Sequence, residues 1–330
     1  MKNMKLSNKD LQYFIEKIKL QPENMGKYRD QINNLKQKLE KKIAEDESHG
    51  LKVQKYIIAG SWKKHTILKA TGENPIDIDL VLFIAGDKEI HNDLPKLYDY
   101  IVSYLESIYP QKDIQRDVDA KGNTKSITIS FSGTGLQVDI VPVVSLEDLA
   151  EYVWQPSRRG GKKYITSISK QLSFSLEKRQ KNSSYTSIVR AIKWWKNYKE
   201  LQPTDNEPGL SSFSIELIVA YLDENYNIEE NIEEGIIRFF KFVSDHLFPI
   251  IEFKDSIKTI STNYDSPIYI SDNTNKENNI VKRLDKNKWD EIVEEAEDAF
   301  DTLNIAQSKN NKGDTIQEWK RVFGPTFNLE

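Results

Sequence analysis

Residues 76–84 read Ile-Asp-Ile-Asp-Leu-Val-Leu-Phe-Ile, between Pro75 and Gly86. A run of this length, rich in β-branched and aromatic residues and bounded by Pro and Gly, is a strand signal. The period of two in a strand puts Asp77 and Asp79 on one face together with Val81 and Phe83, and turns Ile78 and Leu80 to the other. Two neighbouring carboxylates repel, and a face that becomes apolar two residues later makes unpaired acids costly. A hard divalent cation between them, bound through oxygen, removes both penalties. The alternative is a solvated polar strand face.

Working outward, VQKYIIAGS (53–61) is a second strand ending in Gly60-Ser61, with a helix expected next that carries Lys63, Lys64 and Thr66. Glycine allows close approach of backbone to an anion, and a helix start presents free N–H groups. Downstream, SITISF (126–131) and LQVDIVPVV (136–144) read as strands paired in a hairpin across Ser132-Gly133-Thr134-Gly135, with Asp139 in the second. Placed beside the Asp77/Asp79 strand, Asp139 would complete a three-carboxylate cage for two metals. Such a cage suits in-line phosphoryl transfer, in which a hydroxyl attacks and pyrophosphate leaves.

Around these strands the pattern is helical. Residues 7–48 carry Leu11, Phe14, Ile15 and Ile18, then Ile32, Leu35, Leu39 and Ile43, at helical spacing. Ser7 with Asp10 marks the start, and Gln21 to Lys27, with Pro22 and Gly26, marks a break. Leu94 to Ile108 is amphipathic. After Tyr152 helices are expected at 164–181, 184–200, 211–226, 232–246 and 286–307. The expected organisation is residues 1–155 as N-terminal helices and a catalytic core, and residues 156–330 as a helical lobe, with a central cleft.

Composition narrows the chemistry. The 330 residues contain no cysteine, which removes disulfides, thiolate nucleophiles and Cys-based zinc sites. The four histidines form no metal-binding pair, so carboxylates, hydroxyls and a hard metal remain. A net charge of −4 argues against a protein that coats DNA. That figure is an average, because 157–181 holds eight basic residues (Arg158, Arg159, Lys162, Lys163, Lys170, Lys178, Arg179, Lys181) against Glu177 alone. A basic surface facing bound triphosphates and a solvated charge run both account for it. The start MKNMKLSNKD lacks a signal-peptide core, and no apolar run reaches membrane-spanning length, so a soluble cytoplasmic protein is expected.

The order Gly-Ser, then Asp-x-Asp, then a lone Asp in a later strand resembles the polymerase-β-type nucleotidyltransferase superfamily. GSWKKHT (60–66) resembles the GSxxKGT-like segment of oligoadenylate synthetases, with His65 where their glycine stands. VRAIKWWKNY (189–198) and LSSFSIELIVAYL (210–222) are similar to the two helices that hold the nucleotide in those enzymes. SDNTNKENNIVKRLDKNKWDEIVEEA (271–296) and EWKRVFGPTF (318–327) match later segments, although two prolines of the first are missing. The chain is identified over roughly 50–327 as resembling the cyclic GMP-AMP synthase/DncV-like nucleotidyltransferases (CD-NTases), on the oligoadenylate-synthetase-like branch that serves as oligonucleotide cyclases in bacterial anti-phage CBASS systems.

This resemblance implies an α+β fold, with a polymerase-β-type nucleotidyltransferase core of mixed sheet and helices packed on a helical C-terminal lobe. It implies a two-metal site of Mg²⁺ or Mn²⁺ on Asp77, Asp79 and Asp139, with nucleotide contacts from Gly60, Ser61, Lys64, Lys193, Ser212 and Phe213. Trp194 and Trp195 are expected in the core, and Asn278 and Asn279 in a turn or cap. The substrates would be nucleoside triphosphates, ATP among them, and the product a cyclic di- or trinucleotide. A regulatory protein and a product-binding effector are the implied partners, with no membrane and no obligate long nucleic acid. The absence of cysteine excludes the zinc insertion with which vertebrate cyclic GMP-AMP synthases grip DNA. Linear oligoadenylate synthesis, nucleotidyl transfer to RNA or protein, and a catalytically silent nucleotide-binding module remain as alternatives.

Overall fold

Two strands far apart in sequence, β2 (Ile76–Ala85) and β5 (Leu136–Ser145), pair in parallel and organise the sheet. The computed structural model describes residues 5–329 except 73, 87–89, 91–92, 119–123, 157–162, 205–206, 227, 229, 246–247, 249, 255 and 258–267. Beside the parallel pair lie β1 (Lys52–Ile58), β3 (Ile114–Val118) and β4 (Thr124–Phe131), giving the order β1-β2-β5-β4-β3 with all other pairings antiparallel. The far end of β5 also pairs with β6 (Val153–Pro156), which pairs with β7 (Lys163–Thr166).

One sheet face is apolar along its whole length. Ile76, Ile78, Leu80, Leu82 and Ile84 of β2 pack in one cluster with Ile127, Ile129, Val138 and Ile140. Two helices cover them: α2 (Pro22–Glu45), through Ile32, Leu35, Leu39 and Ile43, and a long helix at Leu94–Ile108 through Leu97, Tyr98, Ile101 and Leu105. Burying one such side chain contributes about 1.5–3 kcal/mol, so this layer fixes the register of the strands that carry the acids. The opposite face is divided. Val81, Phe83, Val141 and Val143 form a small apolar cluster with Ala59, Val153 and Ile168, whereas Asp77, Asp79 and Asp139 lie at its polar end.

The chain falls into two compact units, Leu20–Ser173, which holds the sheet, and Met1–Lys19 with Phe174–Glu330, which is helical. The N-terminal helix α1 (Asn8–Ile18) belongs to the helical unit and opens on a capping box between Ser7 and Asp10. Its Phe14 packs against Phe323 and Phe327, with ring centroids 5.5 and 4.8 Å apart. In chain order the elements include α3 (Gly60–Lys63), α4 (the Leu94–Ile108 helix), α5 (Ile168–Lys181), α6 (Tyr185–Tyr198), α7 (Ser212–Tyr226), α8 (Ile232–Val243), α9 (Lys286–Ser308) and α10 (Lys312–Phe323). Trp194 and Trp195 are buried: Trp194 donates to the Phe323 carbonyl at 3.0 Å, and Trp195 meets Phe240 edge-on.

Three local expectations are corrected. The break expected at Gln21 to Lys27 is confined to the residues before Pro22, because proline is tolerated in a helix's first turn and here starts α2. The helix expected from 164 begins at Ile168, because Lys163–Thr166 pairs with β6 instead. The helix expected after Gly60 is a single turn. No helix among the described residues is long and apolar enough to cross a membrane.

Candidate active site

The parallel register aligns Asp79 with Asp139 and Asp77 with Gln137. Residues in register on adjacent parallel strands point to the same face, so all three carboxylates stand on one side, with strands about 4.8 Å apart. Asp77 is exposed; Asp79 and Asp139 are half-buried. On the other side of β5, Thr128 is the antiparallel partner of Asp139, and its hydroxyl donates to Asp139 Oδ1 at 2.5 Å. That bond fixes one rotamer of the carboxylate.

Among the described residues no three His, Asp or Glu side chains are gathered tightly enough to ligate one ion. Three anions on one face repel each other, and Asp139 is turned toward Thr128. The donor set nevertheless fits a hard divalent cation: it is all oxygen, and its three carbons of attachment are held by paired strands over a packed layer.

The Gly60-Ser61 turn abuts this face. Gly60 has a positive φ of 54°, and a Cβ there would fall 1.6 Å from Asp79 Oδ2. Ala59 N–H donates to the Asp79 carbonyl at 2.8 Å, tying the end of β1 to the same residue. Ser61 is half-buried beside it, and its carbonyl accepts from Thr66 N–H at 2.9 Å. Lys64 and Thr66 are buried. A single helical turn brings little macrodipole, so any anion affinity here comes from local N–H groups and Ser61. His65 closes the turn in the left-handed region, φ 58°. The position that is glycine in the resembled motif thus adopts, with a histidine here, a conformation that glycine takes without strain.

The remaining candidates lie in the helical unit. Lys193 on α6 is 6% exposed, and Ser212 and Phe213 open α7, both half-buried. Sequence reading passed over Lys196, three residues after Lys193. It is 5% exposed, and its Nζ donates to Ser212 Oγ at 3.2 Å. Burial lowers its pKa to about 7; Lys193 lowers it further, and Glu216 on α7 opposes the shift. The signal was available in the spacing, since i and i+3 share a helix face. Asn279 is a loop clamp: its Oδ1 accepts from Ile270 and Val281 N–H groups, and its Nδ2 donates to the Ile268 carbonyl. Asn278 donates to buried Asp272 in the same loop. Of the basic stretch, Arg158, Arg159 and Lys162 lie outside the described residues; Lys178 is paired with Glu224 at 2.7 Å and Lys181 with Glu177 at 2.5 Å.

A mixed sheet with a parallel Asp-bearing pair, joined to a helical unit, is the fold of a polymerase-β-type nucleotidyltransferase. Residues 4–179 match the family described as the Second Messenger Oligonucleotide or Dinucleotide Synthetase domain. The chain belongs to that family, and it is a nucleotidyltransferase. It is 31% identical over 329 residues to the CBASS oligonucleotide cyclase CdnC of Escherichia coli (strain KTE188), covering 99% of each chain. It is 32% identical over 319 residues to the cyclic AMP-AMP-AMP synthase of E. coli (strain MS 115-1), covering 94% of each. Among solved structures, E. coli MS115-1 CdnC with ATP matches at a TM-score of 0.78 and 28% identity, over 98% of this chain and 99% of that one. The same CdnC in complex with HORMA-deltaN matches at 0.77 and 27%, over 98% of both chains. Nucleotidyltransferases of this family generally depend on a divalent metal.

Proposed function

We propose that this chain joins nucleoside triphosphates, ATP among them, into a cyclic di- or trinucleotide with release of pyrophosphate, as the cytoplasmic synthase of a bacterial CBASS defence system. The observation that carries the reading is the in-register pair Asp79 and Asp139, with Asp77 on the same face and Gly60 closing onto Asp79. Full-length identity to CdnC and to a cyclic AMP-AMP-AMP synthase supports the choice of product class.

Asp77, Asp79 and Asp139 would hold Mg²⁺ or Mn²⁺, which when bound supplies charge neutralisation for the triphosphate and for the developing leaving group. Asp139, its rotamer set by Thr128, accepts the proton of the attacking ribose hydroxyl. Gly60 and Ser61 give the α3 turn close approach to a phosphate, with Lys64 behind them. In the helical unit, Lys193 and Ser212 bind triphosphate oxygens and Phe213 stacks on a base. A HORMA-type regulatory protein, as in the CdnC complex, and a product-binding effector are the corresponding partners.

The test is incubation of the full chain with four labelled nucleoside triphosphates and Mg²⁺ or Mn²⁺, followed by phosphatase and mass spectrometry. A phosphatase-resistant, adenine-containing cyclic product is expected, and Asp79→Asn should make none while keeping its unfolding temperature. Undiminished synthesis by that variant would remove the acids from the reaction. A phosphatase-sensitive oligomer, label on RNA or protein, or nucleotide binding without pyrophosphate release would each replace the cyclase reading.

A further inference from the structure

Gln137 stands among the three acids. The parallel register places it beside Asp77 of β2, it precedes Asp139 by two residues on β5, and Ser130 of β4 is its antiparallel partner. Its side chain therefore rises from the same face as all three carboxylates, with its Cα about 6.6 Å from that of Asp139. Leu136 and Val138 on either side are buried in the main core, so β5 cannot turn Gln137 away without exposing them. The start of β5 is also pinned. The Gly135 carbonyl accepts from Ile76 N–H at 3.2 Å, and the Thr134 hydroxyl donates to Gln31 Oε1 at 2.8 Å. Gln137 is half-buried, and among the described residues its side-chain amide has no hydrogen-bond partner. An amide offers two donors and an acceptor without charge, so it adds binding capacity here without adding to the repulsion of three carboxylates.

The two sides of the face differ. Gly60 and the α3 turn close onto Asp79 from the β1 edge, the side on which Gly60 and Ser61 receive the donor triphosphate. β4 and the start of β5 flank Asp139 on the opposite side, which leaves that side for the nucleotide whose hydroxyl attacks. We propose that Gln137 is a specificity-determining residue for this acceptor. Its amide holds the ribose hydroxyl next to the attacking one, and so selects which of the two vicinal hydroxyls, 2′ or 3′, forms the new bond. The inference rests on the nucleotidyltransferase reading of Asp77, Asp79 and Asp139, and it adds how their second substrate is held. In the step itself the selected oxygen attacks the α-phosphorus of the donor, and its proton goes to Asp139. The bond from that phosphorus to the bridging oxygen breaks, and pyrophosphate leaves with the electron pair.

A hydroxyl both donates and accepts, and so does a primary amide. A carboxylate at 137 could only accept, and it would compete for the cation. With the ribose free to turn, either of its vicinal hydroxyls could reach Asp139; one hydrogen bond to the neighbour removes that freedom. A site that bonds a substrate hydroxyl also discriminates against the analogue lacking it. At a half-exposed amide that discrimination is about tenfold.

The experiment compares the full chain with Gln137→Leu, and with Gln137→Met as a second variant, on ATP, 2′-deoxy-ATP and 3′-deoxy-ATP with Mg²⁺. Pyrophosphate release gives kcat/KM for each nucleotide. Nuclease digestion and mass spectrometry give the linkage formed from ATP, which identifies the attacking hydroxyl. The decisive nucleotide is the deoxy analogue that keeps this hydroxyl and lacks its neighbour. The preference for ATP over that analogue should be about tenfold larger in wild type than in either variant. Effects of the deoxy sugar on the donor side are common to all three proteins and cancel in this comparison. From ATP, wild type should form one linkage and the variants a mixture of 2′-5′ and 3′-5′. Thermal unfolding checks that the variants fold, and Gln137→Met keeps the test intact if Gln137→Leu does not. An ATP preference of the same size in all three proteins, or a wild type that uses the analogue as well as ATP, overturns the proposal. If no nucleotide mixture yields pyrophosphate, or Asp79→Asn is as active as wild type, the reading of the acids fails instead. That result is distinct from a working enzyme that has lost its choice of hydroxyl.

Discussion

The carboxylate of Asp79 occupies the space where Gly60 would carry a side chain, with Oδ2 only 1.6 Å from the position of a Cβ. Two features of sequence that looked independent, a Gly-Ser turn after one strand and an Asp-x-Asp in the next, are therefore a single piece of geometry. The φ of 54° at Gly60 adds a second reason for glycine there.

Gly60→Ala should displace the Asp79 carboxylate rather than merely strain the turn. Misplacing a reacting group by about 1 Å costs about a hundredfold in rate. The left-handed backbone adds about 1–2 kcal/mol of instability. Pyrophosphate release and thermal unfolding measure the two effects separately, and unchanged release would detach Gly60 from the reaction.

Thr128→Val removes the hydroxyl that orients Asp139 while preserving shape on a buried strand. About 1 kcal/mol of stability should be lost with the hydrogen bond. The turnover rate should fall about tenfold, because the carboxylate then samples several rotamers. Thr128→Ser, which keeps the donor, should recover most of the rate in the same assay.

His65 stands at φ 58°, where a residue with a side chain carries strain that glycine does not. His65→Gly should raise stability by about 1 kcal/mol and leave synthesis intact. His65→Val, β-branched at the same φ, should lower stability instead. Denaturant midpoints of the two variants decide the point, and a destabilised glycine variant would mean that the imidazole itself contributes.

Lys196 gives the fold a distinctive pH response. Its pKa is about 7 in the folded protein against an ordinary value of 10.5. Between these values the unfolded chain binds a proton that the folded chain does not, so wild-type stability should rise from pH 7 toward pH 10. Well below pH 7 both states carry the proton and the cost of burying it is complete. Lys196→Met should accordingly be more stable than wild type near pH 7, with the difference closing as pH approaches 10. Urea denaturation at several pH values would show it; a constant difference would not fit.

The acidic face was legible because a strand's period of two leaves no freedom: once 76–84 is a strand, Asp77 and Asp79 share a side. Their alignment with Asp139 was only an expectation, since the pairing of strands far apart in sequence depends on the apolar layer beneath them. Shorter or more polar strands were not legible. β3 begins Ile-Gln-Arg-Asp, and β6 and β7 have four residues each, too few for a period to register. Ile165 and Ile168 sit at helical spacing, which matches a helix, whereas pairing with β6 makes 163–166 a strand. α10 was noticed for its Trp and Phe residues but not as a helix, because its exposed face is a dense mixture of charges. Lys196 was overlooked because a lysine beside Trp194 and Trp195 reads as the polar edge of an amphipathic helix. Its burial arises from what α7 brings against it.

Phe14 near one end of the chain and Phe323 and Phe327 near the other close the same aromatic cluster. Lys17 also reaches the Asn328 carbonyl at 2.7 Å. This sets an order of manufacture. The unit at Leu20–Ser173 is one uninterrupted segment, so it can be finished while the rest is still being translated. The unit containing α6 and α7 cannot, because its first helix is covered only once Phe323 and Phe327 have been made. A chain stopped before Phe323 would thus keep its sheet segment whole while leaving Phe14 uncovered.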